Sequence, residues 1–129
     1  MDASLLTIVP GATEPIYRQI VEQLRRMIAG GQLPPGERLP SVREVAGFHA
    51  INPMTVSRAY SLLEGEGLLE RLRGTGMAVG QRARRTRSEV ERMSLLEPRL
   101  QDLARAAREL ELPASRVLRR LGELLEDGE

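Results

Sequence analysis

Between Arg43 and Arg58 the chain gathers side chains suited to one kind of chemistry: Arg43, then Asn52, Thr55, Ser57 and Arg58. Arginine presents a planar fork of donors that matches phosphate oxygens and the guanine edge. Asn, Thr and Ser carry short donors and acceptors that bond to bases or phosphates. A second set follows at Arg73-Gly74-Thr75, a short glycine-flanked tip carrying one guanidinium. All of this is recognition chemistry. Bond-breaking chemistry has little to work with. The chain has no Cys and a single His, His49, and no G-x-S-x-G, H-E-x-x-H or P-loop pattern occurs. The glycines at 65, 67, 74, 76 and 80 do not form a dinucleotide fingerprint between a strand and a helix. No enzyme activity, cofactor or bound metal is expected. Without a second His or a Cys, His49 is expected in a structural or surface role rather than as a metal ligand or pH switch.

The elements that must position these side chains are marked by local signals. Ser41 stands three residues before Glu44, which is a capping box and starts a short helix with Val42, Val45 and Ala46 on its apolar side. Asn52-Pro53 is an N-cap followed by proline at the first helical position. The helix it opens carries Met54, Val56, Ala59, Tyr60, Leu62 and Leu63 and ends around Glu64-Gly65-Glu66-Gly67. LLERL (Leu68 to Leu72), RGTG (Arg73 to Gly76) and MAV (Met77 to Val79) then read as strand, turn and strand. Upstream, Pro15 opens a helix whose stripe Ile16, Ile20, Leu24, Met27 and Ile28 has helical spacing, and Gly30-Gly31 stops it. Such a stripe could line a partner groove; packing on the domain's own core is the expected use. Leu5 to Val9 is a short apolar run before Pro10-Gly11, expected as a brief strand. GQLPPGERLPS is expected as a Pro/Gly loop.

After Gly80 the composition shifts to QRARRTRSEVER, polar and rich in Arg, and a domain boundary is placed there: 1–80 and 81–129. Met93, Leu96, Leu100, Leu103, Ala107 and Leu110 then alternate in steps of three and four, a short heptad seam. Pro98 falls inside it, so a kink, or a break near Glu97, is expected. Pro113 or Ala114 begins a last helix with Val117, Leu118, Leu121, Leu124 and Leu125 on one face. Two short amphipathic helices cannot bury such faces alone. They fold back on the first domain or pair with a second copy, and the long seam and polar linker favour the second copy.

Bulk properties limit the alternatives. Aromatics are Tyr17, Phe48 and Tyr60 alone, so the core must be aliphatic. All 19 basic residues are Arg, nearly balanced by 18 acids, and net charge is +1, so any nucleic-acid surface must come from local clustering. No stretch approaches the roughly 20 apolar residues needed to span a bilayer, and the start has no basic region followed by an apolar run. A soluble, cytoplasmic protein without membrane contact is expected.

Two short helices held at a slant by a tight turn fit a helix of about 10–12 Å diameter into a DNA major groove about 12 Å wide. The start of the second helix faces base edges, and its free N–H groups favour phosphate. Asn52, Thr55, Ser57 and Arg58 occupy those positions, Arg43 lies in the first turn of the helix before them, and the Arg73-Gly74-Thr75 tip reads as a wing.

The segments PIYRQIVEQLRRMIAGGQLPPGERLPSVREVA and NPMTVSRAYSLLEGEGLLERLRGTGMAV resemble the winged helix–turn–helix of the GntR family of bacterial transcription regulators, over about residues 10–80. The ordered P-G-x-x-L-P-S-x-R, N-P-x-T-V, E-G-L-L and R-G-x-G motifs carry the resemblance. The short tail resembles the YtrA subfamily, whose members carry two C-terminal helices that dimerise. The fold it implies is mainly α with a small β-hairpin: an N-terminal winged helix–turn–helix followed by two C-terminal dimerisation helices. It implies a homodimer on an inverted-repeat operator in double-stranded DNA, bound at the nucleoid, usually repressing its own operon and often transporter genes. By the family pattern Arg43, Asn52, Thr55, Ser57 and Arg58, with Gly74 in the wing, fall to DNA; Arg73 and Thr75 join them by their place at the hairpin tip, and the apolar faces assign Met93, Leu96, Leu100, Leu103, Leu110, Leu118, Leu121 and Leu125 to dimerisation. The pattern is broken in two places. His49-Ala50 replaces a usual Leu-Gly pair, so a left-handed Ala50 would cost on the order of 1 kcal/mol. Met77-Ala78 stands where the wing often has a Thr-Phe pair. The competing function is a helical protein-interaction adaptor, which the leucine seam alone would suit; the Leu39–Gly76 block argues against it. A dedicated effector cavity is not expected, because two short helices can hardly enclose the roughly 300 Å³ that ligand pockets need, except at a dimer interface.

Overall fold

The stripe Ile16, Ile20, Leu24, Met27 and Ile28 folds as α1, Ile16–Ala29, with Ile20, Leu24 and Ile28 fully buried. The computed structural model describes residues 2–74, 76–81, 83 and 88–128. Elements follow in the order 3-10 turn (Ala3–Leu5), α1, α2 (Val42–His49), α3 (Pro53–Gly65), β1 (Leu69–Leu72), β2 (Gly76–Val79), α4 (Glu89–Glu109) and α5 (Ala114–Asp127). The chain divides into two compact units, Met1–Ser88 and Glu89–Glu129.

In the first unit α1 packs on α3, α2 packs on α3, and α3 packs on β1. Val45, Val56, Leu63, Leu69 and Val79 join α1's apolar face in one aliphatic core. Burying each such side chain contributes about 1.5–3 kcal/mol, which compensates for the near absence of aromatics. The unit reaches past Gly80, because Ala83 is buried in the same core. Arg25 ties α1 to the end of α3, bonding Glu22 at 2.7 Å and Glu66 at 2.6 Å.

β1 and β2 pair antiparallel, Leu69 opposite Val79 and Leu72 opposite Gly76. The expected Pro/Gly loop does more than connect. The Gly36 amide donates to the Val79 carbonyl (2.9 Å), the Leu39 amide to Met77 (3.0 Å), and the Val79 amide to the Glu37 carbonyl (2.8 Å). The loop ahead of α2 is thereby laced to the hairpin. Gly80 closes against Gly67: a Cβ on Gly80 would lie 2.6 Å from the Gly67 carbonyl oxygen, closer than real Cβ atoms approach.

The expected Leu5–Val9 strand does not form. Ala3–Leu5 is a 3-10 turn, Leu6 after it is extended, and Thr7 and Val9 pair their backbone groups with side chains. Gln19 accepts from the Val9 amide (2.8 Å) and donates to the Val9 carbonyl (3.0 Å). One helical turn on, Gln23 accepts from the Thr7 amide (2.8 Å) and donates to the Thr7 carbonyl (2.5 Å). Two primary amides spaced i, i+4 on α1 thus replace a neighbouring strand, so the extended backbone is satisfied without a sheet.

In the second unit α4 runs unbroken through Pro98, so of the expected kink or break near Glu97 the break does not occur. Proline removes one backbone bond, and more than two turns on either side hold the helix together. A turn through Glu111, at φ 54°, leads to α5. Neither helix buries any residue within the chain. Leu110 is 70% and Leu118 67% exposed, Met93, Leu96, Leu103 and Leu125 are also exposed, and Leu100 and Leu121 are half-buried. Between the helices lies an open groove of about 630 Å³ walled by Leu103, Leu110, Val117, Leu121 and Leu124. It is a groove of exposed leucines, not an enclosed chamber. No helix among the described residues is long and apolar enough to cross a membrane.

Candidate nucleic-acid interface

Both α2 and α3 begin as their sequences dictate. Ser41 Oγ accepts from the Glu44 amide (3.0 Å) while Glu44 Oε1 accepts from the Ser41 amide (3.0 Å). At the next helix Asn52 Oδ1 accepts from the Met54 amide (2.8 Å) and Pro53 takes the first position. The Asn52 cap uses the amide oxygen, so its NH₂ group remains available to a ligand.

The turn between them is fixed by Ala50, at φ 55° and ψ 49° in the left-handed region. Its amide and that of Ile51 both turn back on the Ala46 carbonyl, an arrangement helices normally close with glycine. Of the two possibilities, a left-handed Ala50 or an altered turn, the first is present. Ile51 packs against the core beyond it. His49 has a structural role: its Nε2 lies 2.8 Å from the Ala3 carbonyl oxygen, and its ring meets Phe48 edge-on at 4.8 Å. Nε2 must carry the proton here, since a carbonyl only accepts. The Tyr60 hydroxyl donates to the Pro40 carbonyl at 2.8 Å and fixes the approach to α2. Burial pushes the pKa of that hydroxyl well above the ordinary tyrosine value, and Glu44 adds to the shift.

This frame presents Arg43 on the first turn of α2 and the start of α3 around one open depression of about 640 Å³, lined by Val42, Arg43, Ala46, Gly47, Ile51 and Pro53. Arg43, Asn52 and Arg58 are exposed, and Thr55 and Ser57 are half-buried. Arg73 and Gly74 lie exposed at the hairpin tip, where Gly74 has φ 72°, a conformation that favours glycine. Thr75 lies outside the described residues. The arginines divide by partner. Arg25 and Arg71 are paired with acids, whereas among the described residues no carboxylate pairs with Arg43, Arg58 or Arg73. Among the described residues no cluster of His, Cys, Asp or Glu is placed to hold a metal ion.

Comparison with known proteins decides the family. Residues 16–79 match the model of the bacterial regulatory proteins of the gntR family. The HTH-type transcriptional repressor YtrA of Bacillus subtilis (strain 168) is 40% identical over 99 residues, 77% of this chain and 75% of that protein. The chain belongs to the gntR family of bacterial regulatory proteins. The solved YtrA from Sulfolobus acidocaldarius, described as a GntR-family transcription factor, is 35% identical with a TM-score of 0.54, covering 77% of this chain and 97% of that one. AraR(DBD), solved in complex with operator ORX1, is 26% identical with a TM-score of 0.50, over 58% of this chain and 93% of that one. As a member of the gntR family the chain is a DNA-binding transcription regulator, not an enzyme.

Two further side chains lie beside these candidate residues that sequence reasoning did not assign to the site. Met54, on the leading turn of α3, is 75% exposed, although its place in the apolar pattern suggested packing. Tyr17, on α1, lies under Arg58, with the guanidinium carbon 3.8 Å from the ring centroid. The exposed cap before Met54 could have signalled the first; no periodicity links the second pair.

Proposed function

We propose that the chain is a homodimeric repressor that reads an inverted-repeat operator with α3, while α2 and the hairpin tip grip the backbone. The observation that carries this is the common exposure of Arg43, Asn52 and Arg58 around the capped start of α3, with guanidinium groups that pair with no acid among the described residues. Asn52, Thr55 and Ser57 supply hydrogen bonds to base edges or phosphates. Met54 supplies an apolar tip suited to a thymine methyl. Arg73 and Gly74, with Thr75, form the wing that follows the backbone or minor groove. Repression is the sign carried by the name of the Bacillus subtilis relative, and occlusion of an overlapping promoter is its simplest physical form.

Dimerisation falls to the second unit, Glu89–Glu129, with the first unit, Met1–Ser88, binding DNA. Leu96, Leu100, Leu103 and Leu110 on α4 and Leu118, Leu121 and Leu125 on α5, with Met93, would bury against a second copy, since none of them is fully buried in one chain. Two copies would set two α3 helices about 34–36 Å apart or a multiple of that.

The test is duplex binding against salt, with chain association measured beside it. The wild type should lose affinity steeply between about 50 and 200 mM salt. Leu110→Glu with Leu118→Glu should give a folded monomer with weakened duplex binding. A wild type that binds no duplex would favour the adaptor reading, and a monomeric variant that binds as tightly as the wild type would remove the dimer.

A further inference from the structure

We propose that Tyr17 is a positioning residue that holds Arg58 ready for a DNA phosphate, so that α1, outside the helix–turn–helix, sets part of the grip on the duplex. The inference rests on the reading of α3 as the duplex-facing helix. Its basis is the stack itself: the guanidinium of Arg58 lies over the Tyr17 ring at 3.8 Å. Tyr17 sits in the first turn of α1 and is packed against the core, so the ring is a fixed platform. Arg58 is exposed, one turn into α3.

The stack occupies one face of a flat cation. The five N–H donors of arginine point outward in the plane of the group, so stacking leaves them available. Among the described residues no carboxylate takes them. A planar fork with its face held and its edge open matches two oxygens of a phosphate. An arginine that swings freely must lose rotamer freedom on gripping a phosphate, and one already laid on a ring loses less. The attraction comes from the negative face of the ring, so it depends on the ring's electrons as well as its shape.

That dependence gives the test. The full chain first enriches duplexes of about 30 bp from a random pool, long enough for two half-sites one helical turn apart. Tyr17→Phe is then compared with Tyr17→Phe versions bearing mono-, di- and pentafluorinated rings, which keep the shape and progressively drain the negative face. Tyr17→Phe should bind within twofold of the wild type, and affinity should fall with each fluorination step, by about fivefold over the series. With Arg58→Ala in place the series should be flat, and the salt slope should drop by about one for each phosphate that Arg58 had neutralised. An unchanged affinity across the series with Arg58 present, or an equal decline with Arg58 removed, overturns the proposal while leaving duplex recognition standing. A wild type that enriches no duplex overturns both together.

Discussion

Replacing Ala50 by glycine should make the protein more stable without changing how it holds DNA. Ala50 is at φ 55° and ψ 49°, where an L side chain meets the following carbonyl. That costs roughly 1–2 kcal/mol, and glycine is free of it. Glycine brings its own cost, about 0.5–1 kcal/mol of extra chain entropy lost on folding. Taken at the middle of both ranges, the difference is a net gain of about 0.75 kcal/mol for Ala50→Gly. Little else changes, because Ala50 is exposed and its methyl adds little to the core. For a unit the size of Met1–Ser88 the gain corresponds to a rise of about 2–8 °C in the unfolding midpoint. Thermal unfolding followed by circular dichroism measures it, with duplex affinity as the control. The backbone hydrogen bonds that set the angle between α2 and α3 do not involve the methyl, so affinity should stay within twofold. A midpoint that stays level or falls would refute the reasoning and mean that the turn is not strained at Ala50.

Three further outcomes follow from the same geometry. Tyr60→Phe leaves the buried Pro40 carbonyl without its donor and should cost about 1–3 kcal/mol in denaturant unfolding near neutral pH. Its pH signature is separate. Tyr60's pKa is raised in the folded state, so above about pH 10 the unfolded chain releases a proton that the folded chain keeps. Stability from this group is therefore full below that pH and declines above it, a decline Tyr60→Phe should lack. Arg43→Ala should weaken duplex binding by about 1–3 kcal/mol and relax base preference if Arg43 reads a base, or cut the salt slope by about one if it holds a phosphate; fluorescence anisotropy over a salt series distinguishes these, and no change in either removes Arg43 from the interface. Gly80→Ala drives a methyl against the Gly67 carbonyl and should destabilise by roughly 1–3 kcal/mol in urea unfolding, whereas an unchanged midpoint would mean the hairpin base can open at no cost.

What could be read in the sequence was what local chemistry decides. Ser41 with Glu44, and Asn52 with Pro53, fix helix starts through bonds made within a few residues, so both helices and the turn between them were legible. A left-handed Ala50 was raised only by the resemblance, which puts glycine there, and the structure shows it. The hairpin followed from two glycines between short apolar runs. What was hidden depends on partners far along the chain. Leu5–Val9 looks like a strand because it is extended and apolar, yet its backbone is served by Gln19 and Gln23, which read as ordinary polar positions of a helix. The 36–39 loop gave no sign of pairing with β2, since Pro and Gly dominate its composition. Pro98 left a kinked helix and a broken one both open, and the helix runs on through it. At the candidate site the polar residues were legible by type and position, while the Tyr17 platform beneath Arg58 arises only when α1 packs on α3.

The absence of cysteine from the chain allows a direct test of where α3 goes. Met54→Cys puts a single thiol on the exposed leading turn of α3, and a DNA-cleaving iron chelate attached there reports what that turn touches. On an enriched duplex the tagged protein should cut at two centres separated by about one helical turn or a multiple of it, with the pattern of major-groove attack. Scattered cleavage or none, from a protein that still binds the duplex, would show that α3 does not face DNA.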